Sequence, residues 1–318
     1  MSSYPGDDSL VDQDDLPEGH RSGFVAVIGK PNVGKSTLMN ALLGEKLAIV
    51  SPRPQTTRDR QLGILTLPEA QVIFVDTPGI HIARTPLGEY MVEVAAEAIP
   101  DSDLILFLVD VSEPPDEADR QIAALIAAHE GAPVILVLNK IDLLDSEPGE
   151  VRDTRCADFT ALLPGAAPLR VSAAEGRGVE QLQAMILAAL PEGPRYYPPD
   201  QLTDTHLREN AAELIREQVL LRYEQEVPHA VAVQIEEFKE RSDNMTYIRA
   251  TIFVEKDSQK AILIGKKGAA LKELGQAARA ELEALLGTQV YLDLWVKVLK
   301  NWRRDPRALR RLGYYKKD

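Results

Sequence analysis

The chain has 318 residues, enough for about two domains with separate cores. No apolar run approaches the ~18 residues of a membrane span. The N-terminus carries no apolar signal core, and a single cysteine, Cys156, excludes an intrachain disulfide and fits a reducing cytosol. The net charge of −13 is divided unevenly, −16 over residues 1–200 and +3 over residues 201–318. That balance argues against nucleic-acid binding by the whole surface, but Lys297 to Asp318 holds 9 basic residues against 2 acidic ones, a fit for an anionic partner.

Residues 1–21 read as an acidic disordered tail, with Asp7, Asp8, Asp12, Asp14, Asp15 and Glu18 and little to bury. Phe24 to Ile28 reads as a buried strand, and Thr37 to Leu43 as a helix. Between them Gly29-Lys30-Pro31-Asn32-Val33-Gly34-Lys35-Ser36 fits G-x-x-x-x-G-K-S/T, the phosphate-binding loop. Its backbone N–H groups converge on phosphate oxygens at a helix N-terminus, with Thr37 closing the loop. Lys35 would reach the β- and γ-phosphates and Ser36 would ligate Mg²⁺.

Apolar runs then recur at Val72 to Val75, Leu104 to Val109, Val134 to Leu138 and Leu169 to Val171. Helix-like stretches separate them at Pro86 to Ile99, Glu117 to His129 and Val179 to Leu190. The alternation predicts an α/β domain over residues 22–191, a mixed, mostly parallel sheet with helices on both faces. Ligands of such sheets sit at C-terminal strand ends, and the polar motifs fall there. Asp76-Thr77-Pro78-Gly79 offers a carboxylate for Mg²⁺ and the Gly79 N–H for a γ-phosphate. Asn139-Lys140-Ile141-Asp142 resembles the guanine-reading motif of GTPases. Asp142 would accept from the guanine N1–H and amine, Asn139 would bridge loop and base, and the Lys140 stem would pack on the ring. Ser172-Ala173 matches the element whose backbone meets the guanine oxygen. Each alone is a common turn or cap; four in this order, each behind a strand, are not.

Pro52 to Arg58 reads as a switch loop, with Thr57 preferred to Thr56 as the hydroxyl that completes the Mg²⁺ shell, although spacing leaves both open. Ile80 stands where many switch GTPases carry a water-orienting Gln, so unaided hydrolysis is expected to be slow. Asn32 offers a remedy: in related GTPases with Asn at this position, K⁺ binds beside the phosphates. The catalytic set is therefore Lys35, Thr57, Gly79 and Asn32, with His81 read as structural.

Residues 192–203, rich in Pro and Gly, read as a linker. Residues 204–318 then show a helix, two alternating strands, two helices split by Gly265-Lys266-Lys267-Gly268, a last alternating strand from Val290, and a basic tail. This order resembles an α+β KH domain of type II, in which the Gly-x-x-Gly loop clamps about four nucleotides. Arg303, Arg304 and Arg307 would add phosphate contacts. Trp302, Tyr314 and Tyr315 are candidates for base stacking, whereas Trp295 is expected in the core.

Together the two modules resemble the Era family of GTPases. The likeness runs from about Gly23 to Tyr315 and rests on Gly-x-Pro-Asn-Val-Gly-Lys-Ser, Pro-Gln-Thr-Thr-Arg, Asp-Thr-Pro-Gly-Ile-His, Asn-Lys-x-Asp and Ile-Gly-Lys-x-Gly. It implies a cytoplasmic GTPase that binds GTP and GDP with Mg²⁺ and holds the single-stranded 3′ region of small-subunit ribosomal RNA. It also implies help in assembling the small ribosomal subunit and weak peripheral contact with the inner face of the cell membrane. Two departures stand out. The acidic tail lies outside the pattern, and Lys267 replaces a common Gly. A P-loop kinase or ATPase is the competing enzyme reading, opposed by Asn139 and Asp142. A GTPase whose KH module has turned to protein or membrane partners is the competing binding reading.

Overall fold

A computed structural model describes residues 16–44, 57–81, 83, 85–129, 131–203, 207–242 and 244–315. Most of the acidic tail, Thr56 and the earlier part of the predicted switch loop lie outside the described residues.

The first module is a six-stranded sheet in the order β2-β3-β1-β4-β5-β6. Its strands are β1 (Arg21–Ile28), β2 (Gln61–Thr66), β3 (Ala70–Asp76), β4 (Leu104–Asp110), β5 (Val134–Asn139) and β6 (Ala167–Arg170). Only the β2–β3 pairing is antiparallel. Among the described residues five α-helices complete the module: α1 (Lys35–Leu43), α2 (Pro86–Glu97), α3 (Glu117–Ala127), α4 (Gly149–Thr160) and α5 (Val179–Ala189). Strand parity divides the core. Ala26, Ile28, Phe107 and Val109 pack with α2, α3 and α4 on one face, where Cys156 is buried as a free thiol. Val25, Val27, Leu106 and Leu108 pack with α1 and α5 on the other. Because β1 pairs with both β3 and β4, the connections diverge beside it and open a crevice at its C-terminal end. Local chemistry starts the helices: Thr85 Oγ1 accepts from Gly88 N (3.1 Å) ahead of α2, and Asp116 and Asp119 form a reciprocal cap on α3.

In this module β2 and α4 do not show in the sequence pattern. In β2, Gly63 breaks the apolar run; a Cβ there would lie 2.7 Å from Leu43 Cδ1, so that side chain would have to shift. In α4 only Cys156 and Phe159 are buried, so its apolar stripe is too thin to show.

Both predicted borders of this module shift. Arg21 opens β1 instead of ending the tail, and His20 is buried, with its Nδ1 2.8 Å from Gly193 O. The 192–203 stretch lies along the sheet instead of hanging free. Gln71 donates to Tyr197 O (2.8 Å) and accepts from the Tyr196 and Tyr197 N–H groups, and Ile64 N donates to Leu202 O (2.8 Å).

The second module contains α6 (Leu207–Arg222), β7 (Ala232–Ser242), β8 (Met245–Val254), α7 (Asp257–Ile264), α8 (Ala269–Leu286), β9 (Gln289–Val298) and, within the expected basic tail, a further helix α9 (Pro306–Arg311). β7 runs antiparallel and β9 parallel to β8, with α7 and α8 as the crossover. Ile248, Ala250, Ile252 and Val254 pack under α6, α7 and α8. This is the predicted type II KH order.

The aromatic expectations invert. Trp295 is 55% exposed, while Trp302 is completely buried and donates its Nε1–H to Ala230 O (2.8 Å). The reason lies in strand parity. Val290, Leu292, Leu294, Val296 and Val298 take the helix side of β9, so Trp295 must face outward beside Tyr291. Trp302 instead joins Phe253, Ala232, Ala308 and Leu309 in a cluster closed by Leu87 and Met91 of α2. That cluster joins the two modules. Tyr314 stacks on Trp302 at 5.8 Å and so is also part of the packing.

Candidate functional site

The phosphate loop is held open by contacts its glycines permit. Gly34 is left-handed (φ 100°), and a Cβ there would sit 2.4 Å from Asn139 Nδ2. Gly79 touches the loop from the other side, since its Cβ would lie 2.4 Å from Pro31 N. Ile80 N donates to Gly29 O (3.1 Å), and Thr77 Oγ1 to Val27 O (2.8 Å). Ile80 itself packs into the core, so it offers the crevice no polar atom. Asn32 is exposed at the loop apex with φ 65°, a conformation Asn tolerates well.

Lys35 is buried, with Nζ 2.9 Å from Lys30 O and 3.3 Å from Gly29 O. Burial pushes its ammonium down to about 8, with the Asp76 carboxylate opposing the fall. A cation desolvated this way, at the N-terminus of α1, favours an anion beside it. Lys30 has a different task from its loop neighbours. Its Nζ lies 2.7 Å from Asp119 Oδ2 and 2.9 Å from Asp116 Oδ2, pinning the loop to the start of α3. Burial lowers the Lys30 pKa, but the two carboxylates outweigh it and leave it raised.

Beside Lys35, Ser36 Oγ, Thr57 Oγ1 and Asp76 Oδ2 stand 3.1 Å from one another. Asp76 is wholly buried, its other oxygen, Oδ1, has no hydrogen-bond partner, and burial raises its pKa despite Lys35 and the two hydroxyls. An orphaned buried carboxylate oxygen among hydroxyls fits a small hard cation that keeps several waters, as Mg²⁺ does. The described residues hold no cluster of three His, Cys, Asp or Glu that would suit a different metal.

On the base side, Asn139 Nδ2 donates to Val33 O (2.8 Å) and its Oδ1 accepts from Ala173 N (3.0 Å). One side chain thus ties the phosphate loop to the Ser172-Ala173 element. Lys140 is left-handed (φ 64°), and its ammonium is fixed 2.5 Å from Asp110 Oδ2, a partner the sequence did not reveal. Asp142 is half-buried at the start of the following turn. Arg177 pairs with Asp145 (2.8 Å) while its carbonyl accepts from Ser172 N, bracing the two base-side loops against each other.

In the second module Gly265 has φ 70° and ψ −177°, and a Cβ there would meet Ala270 Cβ at 2.6 Å. Gly265, Lys266, Lys267 and Gly268 form one tight turn between α7 and α8, with both lysines exposed and Lys267 left-handed (φ 52°). Ile264 and Leu271 pack against the core on either side. Arg304 and Arg307 are exposed, but Arg303 is turned to Glu255, with Nε 3.1 Å from Oε2, so its charge is already matched.

Comparison with known proteins decides the family. Residues 24–140 match the family described as 50S ribosome-binding GTPase, and residues 226–303 match the KH domain family. GTPase Era of Geobacter metallireducens is 52% identical over 295 residues, covering 92% of this chain and 98% of the relative. GTPase Era of Heliobacterium modesticaldum is 49% identical over 300 residues, covering 93% and 98%. A crystal structure of Era with MgGDPNP and nucleotides 1506–1542 of 16S ribosomal RNA superposes with a TM-score of 0.88 at 42% identity, covering 93% of this chain and 100% of that one. A point variant of Aquifex aeolicus Era bound to GDP and AlF4⁻ gives the same TM-score at 43% identity, with the same coverage.

The chain belongs to the Era family of GTPases.

As an Era protein it is a GTPase with a C-terminal KH domain. In the first module of this Era chain Ser36, Thr57 and Asp76 meet beside Lys35, Gly79 lies against Pro31, and Asn139 links Val33 to Ala173, while Asn32 is exposed at the loop apex. Sequence reasoning gave Arg58 no role. It lies within the quoted Pro-Gln-Thr-Thr-Arg motif, yet its partners are more than 170 residues away. Among the described residues no helix is long and apolar enough to cross a membrane.

Proposed function

We propose that this Era protein is a slow, Mg²⁺-dependent GTP switch in the cytoplasm. In this reading its KH module holds the single-stranded 3′ region of small-subunit ribosomal RNA during assembly of the small subunit. The observation that carries the nucleotide half is the mutual 3.1 Å spacing of Ser36, Thr57 and the buried Asp76 beside Lys35. Those three side chains would hold Mg²⁺, which would neutralise charge on the β- and γ-oxygens. Lys35 would bind the same oxygens from the protein side. Gly79, pressed against Pro31, would aim its N–H at the γ-phosphate. Asn139 would hold phosphate loop and base element at a fixed separation, and Asp142 would read guanine. Asn32, at the exposed apex, is the candidate ligand for K⁺, which would add positive charge where charge develops during hydrolysis.

For the RNA half, the relative solved with nucleotides 1506–1542 of 16S ribosomal RNA supplies the partner. The exposure of the Gly265-to-Gly268 turn supports it as the RNA contact, where Lys266 and Lys267 would meet phosphates and Arg304 and Arg307 would add outlying charge. Weak peripheral membrane contact belongs to this proposal on family likeness alone. The test is a titration of the full chain, loaded with a non-hydrolysable GTP analogue, against a labelled RNA copying the 3′ end of 16S RNA and against a shuffled RNA of equal length. Preference for the ribosomal sequence, lost on charge reversal at Lys266 and Lys267, is the expected result. Equal affinity for both RNAs would remove the small-subunit partner from the proposal.

A further inference from the structure

The residue after Thr57 leaves its own module. Arg58 is 2% exposed, and its guanidinium donates to Val231 O (Nη1, 2.6 Å) and His229 O (Nη2, 3.4 Å), both in the KH module. Its charge lies 5.6 Å from the Trp302 ring centre and 6.0 Å from that of Tyr314. Trp302 is itself fixed by its bond to Ala230 O (2.8 Å), so the receptor is rigid. The next residue, Asp59, accepts from the hydroxyl of Tyr90 on α2 (3.0 Å), and Tyr90 in turn packs edge-on against Tyr314 (6.3 Å). Three consecutive residues therefore point to three places: Thr57 to Ser36 and Asp76, Arg58 into the KH module, Asp59 onto α2.

We propose that Arg58 is a positioning residue for Thr57: the KH module, by gripping Arg58, holds the Thr57 hydroxyl at the γ-phosphate side of the GTPase site. This rests on the reading of Thr57 as the hydroxyl that senses GTP. The physical argument is one of entropy. A polar loop residue used as a ligand must be ordered when the ligand binds, and that ordering subtracts from affinity. Adjacent Cα atoms are only about 3.8 Å apart, so a buried, doubly hydrogen-bonded Arg58 leaves Thr57 little room to wander. The ordering is thereby done by a contact between modules before nucleotide arrives. GDP has no γ-phosphate for Thr57 to serve, so its affinity does not depend on the grip.

The experiment uses the full chain and four variants: Thr57→Ala, Arg58→Ala, their double, and Arg58→Lys. Arg58→Lys keeps the charge and loses the planar two-carbonyl contact. The readouts are equilibrium affinities for a fluorescent non-hydrolysable GTP analogue and for fluorescent GDP, each across a Mg²⁺ series. Hydrogen exchange of residues 57–60 is a further readout. Arg58→Ala is expected to weaken the GTP analogue about tenfold, to move its half-saturating Mg²⁺ upward, and to leave GDP within about twofold. Arg58→Lys should fall part of the way, with faster exchange at residues 57–60. The double variant should be no worse than Thr57→Ala, because both act through one hydroxyl. If Thr57→Ala loses the preference for GTP and both Arg58 variants keep it, Arg58 is merely an interface residue and the proposal is wrong while the Thr57 reading stands. If Thr57→Ala also keeps the preference, the Thr57 reading fails and the proposal with it. Should Arg58→Ala not fold, Arg58→Lys decides by the same criterion.

Discussion

The two candidate sites of this chain spend their polar groups in opposite ways. The nucleotide crevice is made of buried ones: Lys35 opens α1, Asp76 and Asn139 end β3 and β5, and Ser172 follows β6, each held by neighbours within the same module. The Gly265-to-Gly268 turn is made of exposed ones, two lysines on a backbone bend with the core tucked beneath. Buried groups bind by losing little further solvation and by tolerating no mismatch. Exposed lysines bind by releasing counterions, gradually and with strong salt dependence. The first site should therefore fail sharply and the second by degrees.

That contrast sets the scale of the effects. Lys35→Ala deletes a buried cation and should weaken GTP and GDP alike by about 30-fold or more, as truncation of a buried charge pair costs about 2–5 kcal/mol. Calorimetric titration would measure it, and a folded variant with parental affinity would remove Lys35 from the site. Asp142→Asn replaces a pure acceptor with a mixed donor–acceptor. A mismatch of about 1–3 kcal/mol should weaken GTP about 10- to 100-fold and let XTP compete. Parental GTP binding with continued rejection of XTP contradicts the guanine-reading role.

The turn should answer more softly. Lys266→Asp with Lys267→Asp should weaken single-stranded RNA about tenfold or more near 0.1 M salt, with the loss shrinking as salt rises. GTP turnover should persist. Undiminished RNA affinity in that folded variant would turn the module into a protein-interaction domain. Smaller still is the monovalent-ion effect. Turnover should be several-fold faster in K⁺ than in Na⁺ at matched ionic strength if Asn32 helps to hold the ion; equal rates exclude the ion and leave the GTPase intact.

Legibility followed the same division. The crevice could be read because its residues recur at strand ends in a fixed order, and order survives in one dimension. The fold could be read where the apolar pattern was strong, as in the continuous run of β4 or the alternation of β9, and not where burial was thin, as in α4. Trp295 and Trp302 take the places expected of each other: alternation in β9 puts Trp295 on the outer face, and the partners that bury Trp302 are distant in sequence. The partners of Lys30, Lys140 and Arg58 could not be read at all. Each lies 30 or more residues away, and no local rule links a lysine in a loop to an aspartate that caps a distant helix.

The finest test separates the turn's charge from its shape. Lys267 sits at φ 52°, where a side chain costs roughly 1–2 kcal/mol that glycine avoids. Lys267→Ala removes the charge and keeps the strained backbone, whereas Lys267→Gly removes both. Glycine brings extra freedom to the unfolded chain, worth about 0.5–1 kcal/mol, so its net advantage over alanine should be below about 1 kcal/mol. The second module of the Gly variant should accordingly melt about 1–4 °C above that of the Ala variant. In RNA binding the two should behave alike, because each loses one phosphate contact and the slope of log affinity against log salt should fall by about 0.7 in both. If the Gly variant instead binds RNA much more tightly than the Ala variant, the backbone bend limits how closely the strand approaches. Lys267 then hinders the clamp through its conformation more than it helps through its charge.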